Sequence, residues 1–109
     1  MGLSIESKEE KPGTLVAALK GELILGADCN KLAQFVQAQA DRNHHLVFDV
    51  AGISQIDSTG IGLFIDAYSR LEKAGGRMTI AGAAGAVKDA FHVTRLDTVF
   101  RFVGTVDAA

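Results

Sequence analysis

The chain reads as an α/β domain: a mixed, mostly parallel β-sheet with helices packed against it. Three observations predict this. Short apolar runs alternate with amphipathic stretches, a pair of strand-like runs opens the chain, and 109 residues suffice for one hydrophobic core but not two. Alternation requires crossover connections and hence parallel neighbours, whereas an opening hairpin adds an antiparallel edge. One domain over residues 1–109 is expected, with its core at about 3–103.

The elements follow in order. Residues 3–7 and 14–20 read as strands joined by the charged turn from Lys8 to Gly13, which holds the only proline, Pro12. The run TLVAALKGEL reaches Gly21 as a strand reaches a loop. ADCNKLAQFVQAQADRN sets Leu32, Phe35, Val36 and Ala40 at three- and four-residue steps among Lys31, Gln34, Gln37, Asp41 and Arg42, which predicts an amphipathic helix. HLVFDV is a continuous apolar run, as in a strand covered on both faces. STGIGLFIDAYSRLEKAGG predicts a second helix, stopped by Gly75-Gly76, with Arg70 and Lys73 where cations favour the dipole. RMTIAG reads as a strand and GAVKDAFHVTRL as a third helix with Val87, Ala90 and Phe91 inward. TVFRFV closes the sheet, and the tail after it carries no signal.

Composition narrows the function. Hydrophobic residues make up 48% and charged residues 22%, the balance of a folded globular protein. A net charge of −2 provides no electrostatic attraction for nucleic acid or an anionic membrane, and neither is expected as a partner. The single cysteine, Cys29, has no internal disulfide partner and reads as a small buried apolar residue at a helix start. No apolar run approaches the roughly 20 residues of a membrane span. The opening MGLSIESKEEK lacks a basic-then-apolar signal pattern, and Glu6 stands where an acylation start needs Ser or Thr. A cytoplasmic location is expected.

The densest local chemistry is in FDVAGISQIDSTGIGLF, Phe48 to Phe64, where a core strand hands over to a core helix. Ser58 stands where a helix N-cap is expected, and Asp57 complements the positive end of the dipole. Capping leaves three features over. There are two hydroxyls, Ser58 and Thr59, where one suffices. Gly60 and Gly62 each cost about 1 kcal/mol against alanine inside a helix, and as glycines they leave the backbone around Ser58 bare for another surface. Free N–H groups at the helix start form an anion site. A phosphate on Ser58 would add a charge of about −1.5 to −2 without unfolding anything.

With these residues in hand, VFDVAGISQIDSTGIGLFIDAYSRLEKAGGRMTIAGAAGAVKDAFHVTRLDTVFRF resembles the anti-sigma factor antagonists, founding members of the STAS domain family. The resemblance runs from Gly21-Glu22-Leu23 to Phe102, and its most specific element is DSTGIG, against a family signature Asp-Ser-Ser/Thr-Gly-Leu/Ile-Gly. It implies a STAS-like fold and Ser58 as acceptor of a phosphate from an anti-sigma factor that is itself a serine kinase. The unphosphorylated form captures that partner and so regulates sigma-factor-dependent transcription in a bacterial cytoplasm; a serine phosphatase restores it. Asp57, Thr59, Gly60, Ile61 and Gly62 are the implied partner or kinase contacts, on a monomer or weak dimer. Where the family often carries an aspartate after the Gly-Glu-Leu, Ile24 stands here, followed by LGADCNKL, in a loop that usually lies near the phosphoserine. Other family members serve signalling scaffolds, transporter tails and lipid-trafficking complexes, which is the alternative role; a small nucleotide-binding protein is the other alternative.

Enzyme readings fare worse. IAGAAGAVK, with Gly82 and Gly85, echoes a nucleotide-binding turn, but the Rossmann pattern needs a further glycine and a distant acid, and no P-loop exists. Asp57 as a phosphoryl acceptor needs converging carboxylates for magnesium, which the first strands do not supply. His44 and His45 are adjacent, so in a strand they point to opposite faces, and His92 shows no partner. No catalytic residue, cofactor or metal is therefore expected. Lys88, Arg95 and Arg101 read as a solvated basic strip.

Overall fold

The computed structural model describes residues 2–42 and 44–109. Strands β1 (Ser4–Lys11) and β2 (Thr14–Leu23) form the opening hairpin, and helix α1 (Ala27–Gln39) leads to β3 (His45–Ile56). Helix α2 (Ser58–Lys73), β4 (Arg77–Ala81), α3 (Gly85–Val93) and β5 (Arg101–Val103) follow. Short 3-10 turns occupy Leu96–Thr98 and Val106–Ala108.

The five strands lie in the order β1-β2-β3-β4-β5. The first pair is antiparallel and the other three are parallel. Each crossover therefore steps one strand in the same direction, and because such connections are right-handed, α1, α2 and α3 fall on one face. The core lies between them. Leu19, Leu23, Leu46, Phe48, Val50, Met78 and Ile80 come from the sheet and meet Leu32, Val36, Phe64, Ala67, Leu71, Val87 and Phe91 from the helices. Aromatic rings run through it edge to face: Phe48–Phe64 at 5.3 Å, Phe64–Phe91 at 5.5 Å and Phe91–Phe102 at 5.1 Å.

The element types match the expectation, and the differences sit at boundaries. β3 runs on to Ile56 because its second half pairs with Lys20–Leu23 through two register shifts, which carries the start of α2 to the carboxyl end of β2. Of TVFRFV only Arg101–Val103 is strand. α3 stops at Val93, where the Thr94 hydroxyl donates back to the Ala90 carbonyl at 2.8 Å, and Arg95 takes a left-handed φ of 62°.

β3 is covered differently from its apolar run. Helices pack on one face only, yet His45 and Val47 are also buried. The C-terminal tail shares this second face: Thr14, Val16, His45, Val47 and Arg77 line a 270 Å3 crevice together with Val106, Asp107 and Ala109. Within it His45 Nε2 lies 2.7 Å from Thr79 Oγ1. Burial, then the cations Arg77 and Arg101, pushes the His45 imidazole down to about 4.

Candidate functional site

The site is the β3–α2 junction at the carboxyl ends of β2 and β3, the end where open parallel sheets place ligands and partners. Asp57 organises it. Its backbone is extended (φ −114°, ψ −174°), its carbonyl accepts from Ile61 N–H at 3.0 Å, and its N–H donates to the Leu23 carbonyl at 3.2 Å. Its Oδ1 accepts from Thr59 N–H at 2.9 Å and from Gly60 N–H at 3.1 Å. Its Oδ2 accepts from Leu25 N–H at 2.9 Å, in the loop between β2 and α1.

The cap is therefore Asp57, correcting the expectation of Ser58. A cap must be the last non-helical residue, and Ser58 is already the first residue of α2. The amide bonds from Leu25, then Gly60 and Thr59, hold the Asp57 carboxyl below its usual range. With both oxygens committed to backbone amides, this carboxylate is poorly placed as a phosphoryl acceptor. The anion-site expectation is corrected too, because Asp57 already occupies the N–H groups of Thr59 and Gly60.

Ser58 is exposed, and its hydroxyl has no hydrogen-bond partner among the described residues. Thr59 is half-buried. The two glycines do different things. A methyl group at Gly60 would stand 2.7 Å from the Leu23 carbonyl oxygen and 2.9 Å from Ile56 Cγ1, whereas one at Gly62 meets nothing within 4 Å. Gly60 lets α2 start against the end of β2; only Gly62 leaves the surface bare. Ile61 is turned into the core. Of the expected contact residues, Ser58 and Gly62 face solvent, Asp57 and Thr59 do so in part, and Gly60 and Ile61 support from beneath.

Two surface residues escaped the sequence reading. Leu25 is 77% exposed in the loop that Asp57 holds, and Ile65, 46% exposed, follows Ser58 and Gly62 at helical spacing. Their signals were an apolar residue between a strand end and Gly26, and an isoleucine on the polar face of α2. The loop is further tied down from below. Cys29 Sγ lies 2.9 Å from the Ile24 carbonyl oxygen, and burial, with Asp57 and Asp28 nearby, pushes its thiol up. Leu3 N–H donates to Asp28 Oδ1 at 3.0 Å, and Lys31 Nζ donates to the Leu3 carbonyl at 2.9 Å.

Elsewhere, His92 is not partnerless: its Nδ1 lies 2.7 Å from Asp97 Oδ2. Lys88 on α3, Arg95 at the following turn and Arg101 on β5 are all exposed. Gly82 (φ 77°) and Gly85 (φ 56°) shape the turn into α3.

A mixed five-stranded sheet with its three helices on one face, and an Asp-Ser-Thr-Gly helix start at its carboxyl edge, defines a small α/β module of the STAS architecture. The chain belongs to the STAS domain family, whose family model matches residues 7–109. Solved structures agree. An anti-sigma factor antagonist from Mycobacterium paratuberculosis is 25% identical, with a TM-score of 0.82 over 98% of this chain and 90% of that one. The phosphorylated form of the Bacillus cell fate determinant SpoIIAA shares 18% identity and a TM-score of 0.77 over 96% of each chain. A sulfate transporter family protein from Wolinella succinogenes has the same fold at 16% identity and a TM-score of 0.78, over 92% of this chain and 84% of that one.

Proposed function

We propose that this protein is an anti-sigma factor antagonist. It captures an anti-sigma factor that is also a serine kinase while Ser58 is unmodified, and it releases that partner once Ser58 carries a phosphate. The observation that carries the reading is the Ser58 hydroxyl, exposed, without a hydrogen-bond partner among the described residues and held at the first position of a capped helix. The Mycobacterium paratuberculosis antagonist and the phosphorylated SpoIIAA form among its structural relatives support it.

The chemistry asks little of this chain. Among the described residues no side chain hydrogen-bonds the Ser58 hydroxyl, so the base that takes its proton and the ATP that supplies the phosphoryl group belong to the kinase. This chain contributes a fixed nucleophile and a docking surface in which Leu25 and Ile65 flank Ser58 and Gly62. With the helix amides taken by Asp57, a phosphate on Ser58 projects outward, and the fold is unaffected. In the complex the same dianion is buried without a matching cation, which costs several kcal/mol and weakens capture by orders of magnitude. A serine phosphatase resets the switch. Acting as a monomer or weak dimer, the protein turns over no substrate itself.

The test is capture of the kinase from the native cytoplasm by wild type, Ser58→Ala and Ser58→Asp. Wild type and Ser58→Ala should retain a serine-kinase-like partner, and Ser58→Asp should lose it. Equal capture by all three overturns the reading.

A further inference from the structure

We propose a second site, a small-molecule pocket that takes a zwitterion with an apolar body, the chemistry of a hydrophobic amino acid. It lies between α3 and β5, at the carboxyl ends of β4 and β5, and shares no lining residue with the Ser58 junction. A cavity of about 550 Å3 opens there, within the roughly 300–1,000 Å3 range of ligand sites. Ala83, Phe102 and Val103 form its apolar wall with the buried Phe91 behind them, and the exposed Lys88 and Asp89 also line it.

The charges define the ligand. Asp97 also lines the cavity, but His92 Nδ1 already engages it at 2.7 Å. Lys88 and Asp89 are exposed, and neither has an ion-pair or hydrogen-bond partner for its side chain among the described residues. One free cation and one free anion suit a ligand carrying one carboxylate and one ammonium group. The same balance disfavours a nucleotide, whose several phosphate charges would meet Asp89 and Asp97 with one lysine to offset them. Half-buried Phe102, backed edge to face at 5.1 Å by the buried Phe91, and half-buried Val103 offer an aromatic or branched body a surface to pack against. Because β5 is the edge strand, nothing in the sheet closes the mouth.

The experiment is a titration of the 15N-labelled protein with phenylalanine, phenylacetate and phenethylamine, followed by amide shifts. Phenylalanine should saturate at a Kd on the order of a millimolar, with shifts centred on α3, Val103 and Gly104 and none at Ser58. Each single-charge analogue should bind about tenfold more weakly, as should phenylalanine to Lys88→Met and to Asp89→Asn. Both substitutions are at exposed positions, so folding is preserved and the spectrum verifies it. Unsaturated shifts with phenylalanine overturn the proposal, as does phenylacetate binding equal to phenylalanine or an Asp89→Asn variant that binds like wild type.

Discussion

Gly60→Ala and Gly62→Ala are the same chemical change two residues apart, and they should move stability in opposite directions. At Gly60 the new methyl group stands 2.7 Å from the Leu23 carbonyl oxygen and 2.9 Å from Leu23 Cγ and Ile56 Cγ1. A backbone carbonyl in a paired strand cannot swing aside, so α2 must shift off β2. Overpacking of this kind costs about 1–3 kcal/mol, against which the better helix propensity of alanine returns about 1 kcal/mol. At Gly62 the methyl group meets nothing within 4 Å, so only the gain of about 1 kcal/mol remains. The variants should therefore differ by about 1–3 kcal/mol, a gap in Tm of about 4–12 °C for a domain of this size. Urea unfolding and thermal melts at pH 7 measure it. Gly60→Ala melting at or above Gly62→Ala would refute the close-approach argument. Partner capture should invert the order of harm, because Gly62→Ala adds bulk on the proposed docking surface while leaving the fold more stable.

Three further outcomes follow from the same geometry. Leu25→Ser and Ile65→Ser should each weaken partner capture about tenfold or more with stability nearly unchanged, since both side chains face solvent in the free protein; titration calorimetry against the captured partner checks this. Asp57→Ala should release the loop from the helix start, seen as faster amide exchange at Leu25, Thr59 and Gly60 with the β3–β4 ladder unaffected. Acid should destabilise the domain early: His45 stays neutral in the fold down to about 4 while the unfolded chain protonates near 6.5, so stability falls as pH drops through that window, by up to about 3 kcal/mol. The Asp57 contribution is lost at lower pH, as pH falls from the ordinary aspartate value through the depressed one, so urea midpoints at pH 7 and 4.5, with His45→Gln as control, isolate the histidine.

Much of this was legible in the sequence because local and tertiary demands agreed. The spacing of Phe64, Ala67 and Leu71 announces the buried stripe of α2, and Gly75-Gly76 its end. The Asp-Ser-Thr-Gly helix start is visible for the same reason, though not which residue caps it. Asp and Ser are equally good caps, and what selects Asp57 is that β3 runs on to Ile56 and the Asp57 N–H is bonded to the Leu23 carbonyl, so the helix begins at Ser58. The glycines illustrate the same limit: periodicity places both in the first turns, but only contact with β2 separates the packed Gly60 from the open Gly62. Leu25 and Ile65 read as ordinary apolar residues until burial is known, and the tail owes its role to the sheet face it meets, not to any pattern of its own.

The central claim, that Ser58 is the switch, comes down to one measurement: site-resolved mass spectrometry of wild type, Ser58→Ala and Thr59→Ala after incubation with the captured kinase and ATP. A single phosphate on Ser58 in wild type and Thr59→Ala, none on Ser58→Ala, and loss of kinase binding in step with modification is the predicted result. Phosphate on Ser58→Ala at the wild-type level, or full kinase binding by the Ser58-phosphorylated protein, would contradict it.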